Sequence, residues 1–273
     1  MKKVAIIIPA RYQSVRFPGK PLVQLSDSSG KIAPLIYWVW NQAKRVIPLR
    51  NDYSVTLYIA TDDERIRECA SNFGASVVMT DISCLNGTER CLDAILKDTR
   101  INADIIINFQ GDAPLTPVSF VYAIINHMLD NADSSVVTPC VRMSQEQKTQ
   151  FISDMKQGIS GGTTVVFNKY KQALYFSKGL IPFLPNDAET NDLYNIFLHI
   201  GLYAYSTDAL HQYGNYKPGA LETSEKLEQL RFLENDISIS VLEMPSPPFS
   251  LWELNHPSDK ILIESVLKTY TSF

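Results

Sequence analysis

The stretch VAIIIPARYQSVRFPGKPL, residues 4–22, joins a continuous apolar run to a basic loop that proline and glycine stiffen. An uninterrupted apolar run is typical of a strand that is covered on both faces, so residues 4–8 predict a strand inside a sheet. The loop begins where this strand ends, and ligands of open α/β sheets bind beyond the carboxyl ends of the strands. We therefore expect residues 9–22 to contribute to a ligand site.

Strand and helix patterns alternate through the rest of the first half. Apolar runs predict strands at residues 55–60, 76–79 and 105–108, and amphipathic patterns predict helices at residues 35–46, 61–74 and 88–97. This alternation predicts an α/β fold with a mainly parallel sheet flanked by helices.

The second half is less regular. The predicted strands are residues 136–143, 163–168, 173–177 and 201–205, the predicted helices are 224–234 and 258–271, and the polar stretch 185–192 predicts a loop. No change in composition marks a domain boundary. One domain over residues 1–273 with an insertion is therefore favoured over two independent domains.

Composition and charge exclude several classes of protein. The 273 residues carry 25 basic and 29 acidic side chains, a net charge of -4, whereas proteins that bind nucleic acid through its phosphates carry a basic surplus. The N-terminal apolar run ends at Pro9, too early for a secretory signal, and the longest uncharged stretch, residues 113–129, contains polar residues and prolines. The four cysteines are sparse and form no CxxC pair. We expect a cytoplasmic protein with reduced thiols that binds neither nucleic acid nor membrane.

The basic loop favours a phosphate ligand. Arg11, Arg16 and Lys20 lie within ten residues of one another, and a triphosphate needs several cations held close together beside backbone N–H groups. A solvated basic loop is the alternative, but the position after a buried strand and the stiffened backbone favour the phosphate site. The chain has no Walker motif and no GxGxxG, so the P-loop and dinucleotide-binding classes lack their defining residues.

A second glycine-rich segment fits the hydrolase pattern G-x-S-x-G at residues 158–162. The nucleophile elbow of hydrolases requires a buried strand before this motif and a helix after it. The flanks here are polar before the motif and β-like after it, so a turn is favoured over a serine hydrolase.

Seven blocks of this sequence, in the same order and over nearly the whole chain, resemble the 3-deoxy-manno-octulosonate cytidylyltransferases (CMP-Kdo synthetases). The blocks are PARYQSVRFPGKPL, YIATDDERI, MTDISCLNGTER, INFQGDAPLTP, ALYFSKGLIPF, HIGLYAYSTDAL and LETSEKLEQLRFLE. The resemblance implies that a sugar-acid hydroxyl attacks the α-phosphate of CTP, that pyrophosphate leaves, and that Mg²⁺ assists, for lipopolysaccharide or capsule synthesis. It also implies a homodimer with a Rossmann-like nucleotide-binding sheet and a β-rich insertion for dimerisation, as in nucleotide-diphospho-sugar transferases. Residues 1–140 would then form the nucleotide-binding half and residues 141–273 the sugar-binding and dimerisation half.

The same resemblance implies the residues of the site. The nucleotide would contact Pro9, Ala10, Arg11, Arg16, Lys20, Asn86, Gly87 and Gln110, and among these Arg11, Arg16 and Lys20 would act in catalysis together with Asp112. The sugar would contact Arg90, Gln110, His199, Tyr203, Glu228 and Gln229. Without the resemblance, His199 is typical of a structural histidine, Tyr203 of a core aromatic, and residues 228–229 of a solvated helix face.

The expected Mg²⁺ ligands are Asp112 and Asn255. Asp112 follows a glycine at the end of a predicted strand, where a carboxylate can hold Mg²⁺ on a triphosphate; a helix cap is the alternative. The family commonly has the sequence Asp-x-Pro-Glu-Asp near the C-terminus, and Asn255 occupies the position of its first Asp in this chain. An amide brings no charge, although Glu253 offers a carboxylate two residues earlier. Two smaller departures are Asn86 for the family's Ser and Ala113 for its Glu.

These departures leave alternatives open. The acceptor is Kdo or a modified or different ulosonic acid, such as 8-amino-Kdo or a sialic-acid-like sugar. The change at Asn255 motivates a pseudoenzyme that binds nucleotide without turnover. Pyrophosphate release from CTP and Kdo separates these classes.

Overall fold

The computed structural model describes residues 1–13, 17–158, 162–184 and 195–270. The strands are β1 (Lys2–Ala10), β2 (Gln24–Ser26), β3 (Ile32–Pro34), β4 (Tyr53–Thr61), β5 (Ser76–Met79), β6 (Ile105–Phe109), β7 (Val136–Arg142), β8 (Thr164–Phe167), β9 (Ala173–Ser177), β10 (Phe197–His199), β11 (Leu202–Ser206) and β12 (Ile239–Met244). The helices are α1 (Leu35–Lys44), α2 (Glu64–Asn72), α3 (Gly87–Lys97), α4 (Val118–Asp130), α5 (Gln145–Lys156), α6 (Thr207–Asn215), α7 (Ala220–Glu225), α8 (Leu230–Leu233) and α9 (Asp259–Thr269).

The first half forms a parallel sheet in the order β5-β4-β1-β6. Strand β1 lies inside this sheet, and alternate side chains of its apolar run join different hydrophobic clusters. Ile6 and Ile8 pack in one cluster, and Ala5 and Ile7 pack in the other. Because successive side chains of a strand point to opposite faces, both faces of β1 are covered, which explains the uninterrupted apolar sequence.

The second half extends the same sheet. Strand β11 pairs antiparallel with β6, and the order continues through β7, β10, β8 and β9, with β12 parallel to β7; β2 and β3 form a small separate sheet. The predicted α/β fold with a mixed, mainly parallel sheet flanked by helices is thus confirmed, and the antiparallel strands form its β-rich part. The division into a nucleotide-binding and a sugar-binding half stays a prediction.

The structure corrects the predicted helix at residues 224–234. Two short helices, α7 and α8, stand there instead, because Lys226 adopts φ 54 and ψ 47 and ends α7 in the left-handed region. Helix α4 was not predicted from the sequence; all of its residues except Asp130 fall in the uncharged stretch 113–129. This helix packs against β6, β7 and β11, so apolar residues occupy much of its surface. The loop predicted at 185–192 lies outside the described residues.

Three further expectations bear on protein class. No helix within the described ranges is long and apolar enough to cross a membrane. All four cysteines are free thiols. Helix α5 precedes the G-x-S-x-G segment and strand β8 follows it, which reverses the order that a nucleophile elbow needs. Ser160 itself lies outside the described residues.

Candidate active site

A cavity of about 230 Å³ opens at the carboxyl ends of β1 and β6, beside the first turn of α3. Parallel pairing of β1 with β6, in which Ile7 lies opposite Asn108, brings the ends of the two strands together. The lining residues are Pro9, Ala10, Arg11, Lys20, Pro21, Asn86, Gly87, Arg90, Gln110, Gly111 and Asp112. Every residue expected to contact the nucleotide lines this cavity except Arg16, which lies outside the described residues.

Gly111 allows the loop after β6 to press against the end of β1. A Cβ atom at this position would lie 2.3 Å from the carbonyl oxygen of Pro9, which is closer than side chains approach backbone. Only glycine fits such an approach, since it has no Cβ. The close packing sets the position of the neighbouring Asp112.

Asp112 forms an ion pair with Lys20 on the wall of the cavity. The Nζ atom of Lys20 lies 2.5 Å from Oδ2 of Asp112, and the two side chains are 16% and 22% exposed. Lys20 begins a single 3-10 turn, and Gly19, at φ 73, precedes it in the left-handed region that favours glycine. Across the cavity, Arg11 Nη1 donates to the carbonyl of Leu85 at 3.3 Å. The structure therefore places a carboxylate and two cations around one space.

The first turn of α3 brings the start of a helix to the cavity. Asn86 caps this helix, and its Oδ1 accepts from the N–H of Glu89 at 2.8 Å. Glycine at position 87 is closely surrounded, since a Cβ there would lie 3.1 Å from Nε2 of Gln110. The N–H groups of Thr88, Glu89 and Arg90 already have acceptors within the protein, so what this end of the cavity offers to an anion is the N–H of Gly87 together with the helix dipole.

Glu228 is partly buried behind this turn and its carboxylate is hydrogen-bonded inside the protein, so the solvated helix face considered for it is wrong. Its Oε2 accepts from the N–H of Thr88 at 2.9 Å, and its Oε1 accepts from Nε2 of Gln110 at 3.2 Å. Burial raises the pKa of Glu228, and the bonds from Thr88 and Gln110 oppose that shift. Glu228 thus links α3 with the residue that follows β6.

The other residues expected at the sugar lie behind the cavity rather than on its wall. His199 is buried and shares a 2.9 Å hydrogen bond with Oγ1 of Thr138; burial lowers its pKa to about 3, so the ring is neutral. The hydroxyl of Tyr203 donates to Oε1 of Gln229 at 3.1 Å. The Nε2 atom of Gln229 is buried and has no hydrogen-bond partner among the described residues.

Arg90 lines the cavity, but its guanidinium is already engaged. Its Nη1 donates to Oγ1 of Thr80 at 2.6 Å and its Nη2 to Oδ2 of Asp62 at 2.9 Å, with the residue 2% exposed. The guanidinium that the resemblance assigns to the sugar is thus already paired within the protein, and the ion pair with Asp62 compensates the burial of its charge.

Arg11 and Arg90 also line a second cavity of about 520 Å³. Its other lining residues are Tyr12, Gln13, Pro18, Asp62, Arg65, Ile82 and Cys84. Three of them, Tyr12, Gln13 and Pro18, belong to the loop 9–22 that was expected at a ligand site, and Asp62 follows Thr61 at the carboxyl end of β4, where polar residues of such a site are expected. Sequence reasoning missed Arg65, Ile82 and Cys84.

The residues around Asp112 suit Mg²⁺ when phosphate oxygens complete the shell. Mg²⁺ in nucleotide sites takes one or two carboxylates together with phosphates and water. The N–H of Leu254 donates to the carbonyl of Asp112 at 2.9 Å, which places Glu253 and Asn255 on either side of that bond. Asn255 does not line the cavity, and its Nδ2 donates to Oε2 of Glu253 at 3.3 Å. In the described ranges, no three His, Cys, Asp or Glu side chains are grouped to hold a metal alone.

Known proteins resemble this chain over nearly its whole length. The family model described as cytidylyltransferase matches residues 5–239. A 3-deoxy-manno-octulosonate cytidylyltransferase of Maricaulis maris is 39% identical over 264 residues, 97% of this chain and 96% of the relative. An 8-amino-3,8-dideoxy-manno-octulosonate cytidylyltransferase of Shewanella woodyi is 36% identical over 267 residues, 97% of this chain and 98% of that protein. The solved structure of a CMP:2-keto-3-deoxy-manno-octonic acid synthetase complexed with CTP is similar, with a TM-score of 0.79 at 31% identity, and the match covers 97% of this chain and 98% of that one.

Proposed function

This chain belongs to the cytidylyltransferase family, and on that premise we propose that it transfers the cytidylyl group of CTP to 3-deoxy-manno-octulosonate. The sugar hydroxyl oxygen forms a bond to the α-phosphorus, the bond from that phosphorus to pyrophosphate breaks, and the hydroxyl proton leaves. The observation that carries the proposal is the Lys20–Asp112 pair beside the N-terminus of α3, which matches the charges of a metal-bound triphosphate.

The triphosphate is assigned to the smaller cavity. Arg11 and Lys20 neutralise phosphate oxygens from two sides, and Gly87 offers backbone at the start of α3. Arg16 is retained in this role from the sequence. The second cavity continues past Arg11 and Arg90 and gives the nucleoside room.

The sugar acid is assigned to the side of the cavity that Gln110 forms. Gln110 lines the cavity and is held there by Glu228, whose Oε1 accepts from its Nε2. His199 and Tyr203 support this side from behind, through the bonds to Thr138 and Gln229. Arg90 stays in the proposal as a residue of the wall between the two cavities.

Pyrophosphate release tests the proposed reaction. The purified protein would be supplied with each nucleoside triphosphate in turn, and with Kdo, 8-amino-Kdo or a sialic acid. Release that requires both CTP and Kdo is the expected result. Faster turnover of 8-amino-Kdo would reassign the acceptor, whereas nucleotide binding without release for any acceptor would indicate a pseudoenzyme.

We also propose Mg²⁺ as the cofactor, held by Asp112 with Asn255 or Glu253 beside it. When bound, the ion offsets the negative charge that develops on the phosphates. Asp112→Asn should abolish turnover and weaken Mg²⁺ binding to the protein–CTP complex in calorimetry, because a hard cation prefers carboxylate oxygen. If Asn255 lies beside the ion, Asn255→Asp should lower the Mg²⁺ concentration needed for half-maximal rate. If Glu253 already supplies the charge, Asn255→Asp should change this concentration little and Glu253→Gln should raise it. Turnover without divalent metal would contradict the assignment.

A homodimer in the cytoplasm completes the proposal. Strand β9 lies at the end of the sheet order, and Leu174 on it is 61% exposed, while Phe183 beyond it is 86% exposed. Exposed apolar residues near an open sheet edge suit an interface with a second copy. Four free thiols and a nucleoside triphosphate substrate suit the cytoplasm. Light scattering at micromolar concentration tests the dimer, and a monomer would contradict it.

A further inference from the structure

Arg231 is a buried cation that joins two carboxylates from different helices. Its Nε donates to Oε2 of Glu222 at 2.6 Å, and its Nη2 donates to Oε1 of Glu222 at 2.7 Å and to Oε1 of Glu89 at 2.8 Å. The side chain is 3% exposed, and its guanidinium lies 4.2 Å from the ring centre of Tyr213. Pairing with two carboxylates compensates the cost of burying the charge.

Glu89 carries this connection to the nucleotide side of the cavity. Its Oε2 accepts from the N–H of Leu85 at 2.7 Å, and the carbonyl of Leu85 accepts from Arg11 Nη1. The N–H of Glu89 donates to Oδ1 of Asn86 at 2.8 Å. The position of residues 85–87 therefore depends on where the Glu89 carboxylate is held.

Tyr213 makes a parallel connection to the sugar side. Its hydroxyl accepts from Nδ2 of Asn86 at 3.0 Å and donates to the carbonyl of Glu228 at 3.3 Å. Arg231 therefore contacts both residues that reach the cavity, Glu89 through a hydrogen bond and Tyr213 through its ring. It lies three residues after Glu228 and outside both cavity walls.

We propose that Arg231 is a positioning residue: its ion pair with Glu89 holds residues 85–87 and Arg11 in the arrangement that binds CTP. This inference rests on the proposed function, since it assigns CTP to the same cavity. A charge-assisted hydrogen bond between groups with little exposure is strong enough to fix a loop, and a loop fixed before binding needs no ordering when the nucleotide arrives.

Glu89→Gln is the variant that tests the inference. It keeps the size of the side chain and removes the charge that faces Arg231. Because glutamine has one acceptor oxygen where Glu89 uses two, either the bond from Arg231 or the bond from the N–H of Leu85 is lost as well, while Glu222 still pairs with Arg231. Calorimetry with CTP and Mg²⁺, without sugar acid, should show a dissociation constant raised about tenfold, and the midpoint of thermal unfolding should move by only a few degrees.

Glu243→Gln provides a matched control. It removes a carboxylate that pairs with Arg142 and Lys171 on the surface, outside both cavities. The CTP dissociation constant of this variant should equal that of the wild-type protein. A rise as large as that in Glu89→Gln would overturn the inference, since loss of any ion pair would then suffice.

Arg231→Lys, alone and combined with Glu89→Gln, tests whether the two residues act as a pair. Groups that act together give non-additive effects, so the double variant should bind CTP about as weakly as each single variant. The inference would be overturned if the increases in the CTP dissociation constant of the two single variants multiplied in the double variant. It would also be overturned if the dissociation constant of Glu89→Gln stayed within twofold of wild type. If the wild-type protein itself binds no CTP, the proposed function is wrong, and the inference falls with it.

Discussion

Replacing Gly111 with alanine should impair catalysis more than stability. The added Cβ would lie 2.3 Å from the Pro9 carbonyl oxygen, and real Cβ atoms stay beyond 3.0 Å, so the two segments must separate by about 0.7 Å. Overpacking of this kind costs about 1–3 kcal/mol. Because Asp112 is the next residue, the same shift displaces its carboxylate from Lys20 and from the triphosphate. A displacement of about 1 Å in a site can cost about 100-fold in rate.

The assay compares Gly111→Ala with wild type by pyrophosphate release and thermal unfolding. The expected result is a kcat/KM for CTP reduced by about 100-fold, with an unfolding midpoint lower by roughly 2–10 °C. A folded variant that retains kcat/KM within threefold of wild type would refute the reasoning.

Gly74→Ala serves as the control. Gly74 has φ 83, which an L-residue adopts at a cost of about 1–2 kcal/mol, but a Cβ there would meet nothing within 4 Å. It follows α2 and lines neither cavity. This variant should lose stability and keep the wild-type kcat/KM, which separates backbone strain from displacement of Asp112.

Three further changes have expected outcomes. Lys20→Ala should lower kcat/KM for CTP by about 10- to 100-fold, since a charge-assisted hydrogen bond contributes about 1.5–3 kcal/mol, and unchanged turnover would contradict the phosphate assignment. His199 has a pKa of about 3 in the folded protein and takes up a proton on unfolding between pH 6.5 and about 3, so the free energy of unfolding falls as the pH falls through that range. In chemical denaturation, His199→Gln should reduce the slope of this free energy against pH by up to about 1.4 kcal/mol per pH unit. Burial raises the pKa of Glu228, so the contribution of this residue to the free energy of unfolding is complete below the ordinary pKa of 4.5 and is lost as the pH rises through the folded pKa. Glu228→Gln should remove that loss in chemical denaturation over this pH range. An unchanged dependence of stability on pH would contradict the prediction.

Residues 4–22 and the strands that pair with β1 could be predicted from sequence because their signals are local. A buried parallel strand reads as an apolar run, and the residue after it lies at the carboxyl edge of the sheet by geometry alone. That is why Arg11, Lys20 and Asp112, which follow the ends of two neighbouring strands, line one cavity. The roles of these residues in binding and catalysis, like those of Arg16 and Asn255, stay predictions.

The partners of buried charges were decided by tertiary structure. Glu228 is 140 residues from the N–H that it accepts, and Arg231 is 142 residues from Glu89. No local pattern distinguishes such residues from a solvated helix face, and the break at Lys226 that turns them inward is equally invisible in the helical spacing. Arg90 likewise lies in a helical pattern typical of a surface arginine, and its partners, Asp62 after β4 and Thr80 after β5, come from other elements of the fold. Sequence determines which charged residues reach the sheet edge. A charged group inside the protein needs an opposite charge or hydrogen-bond partners, and only the packed chain decides which of these lie within reach.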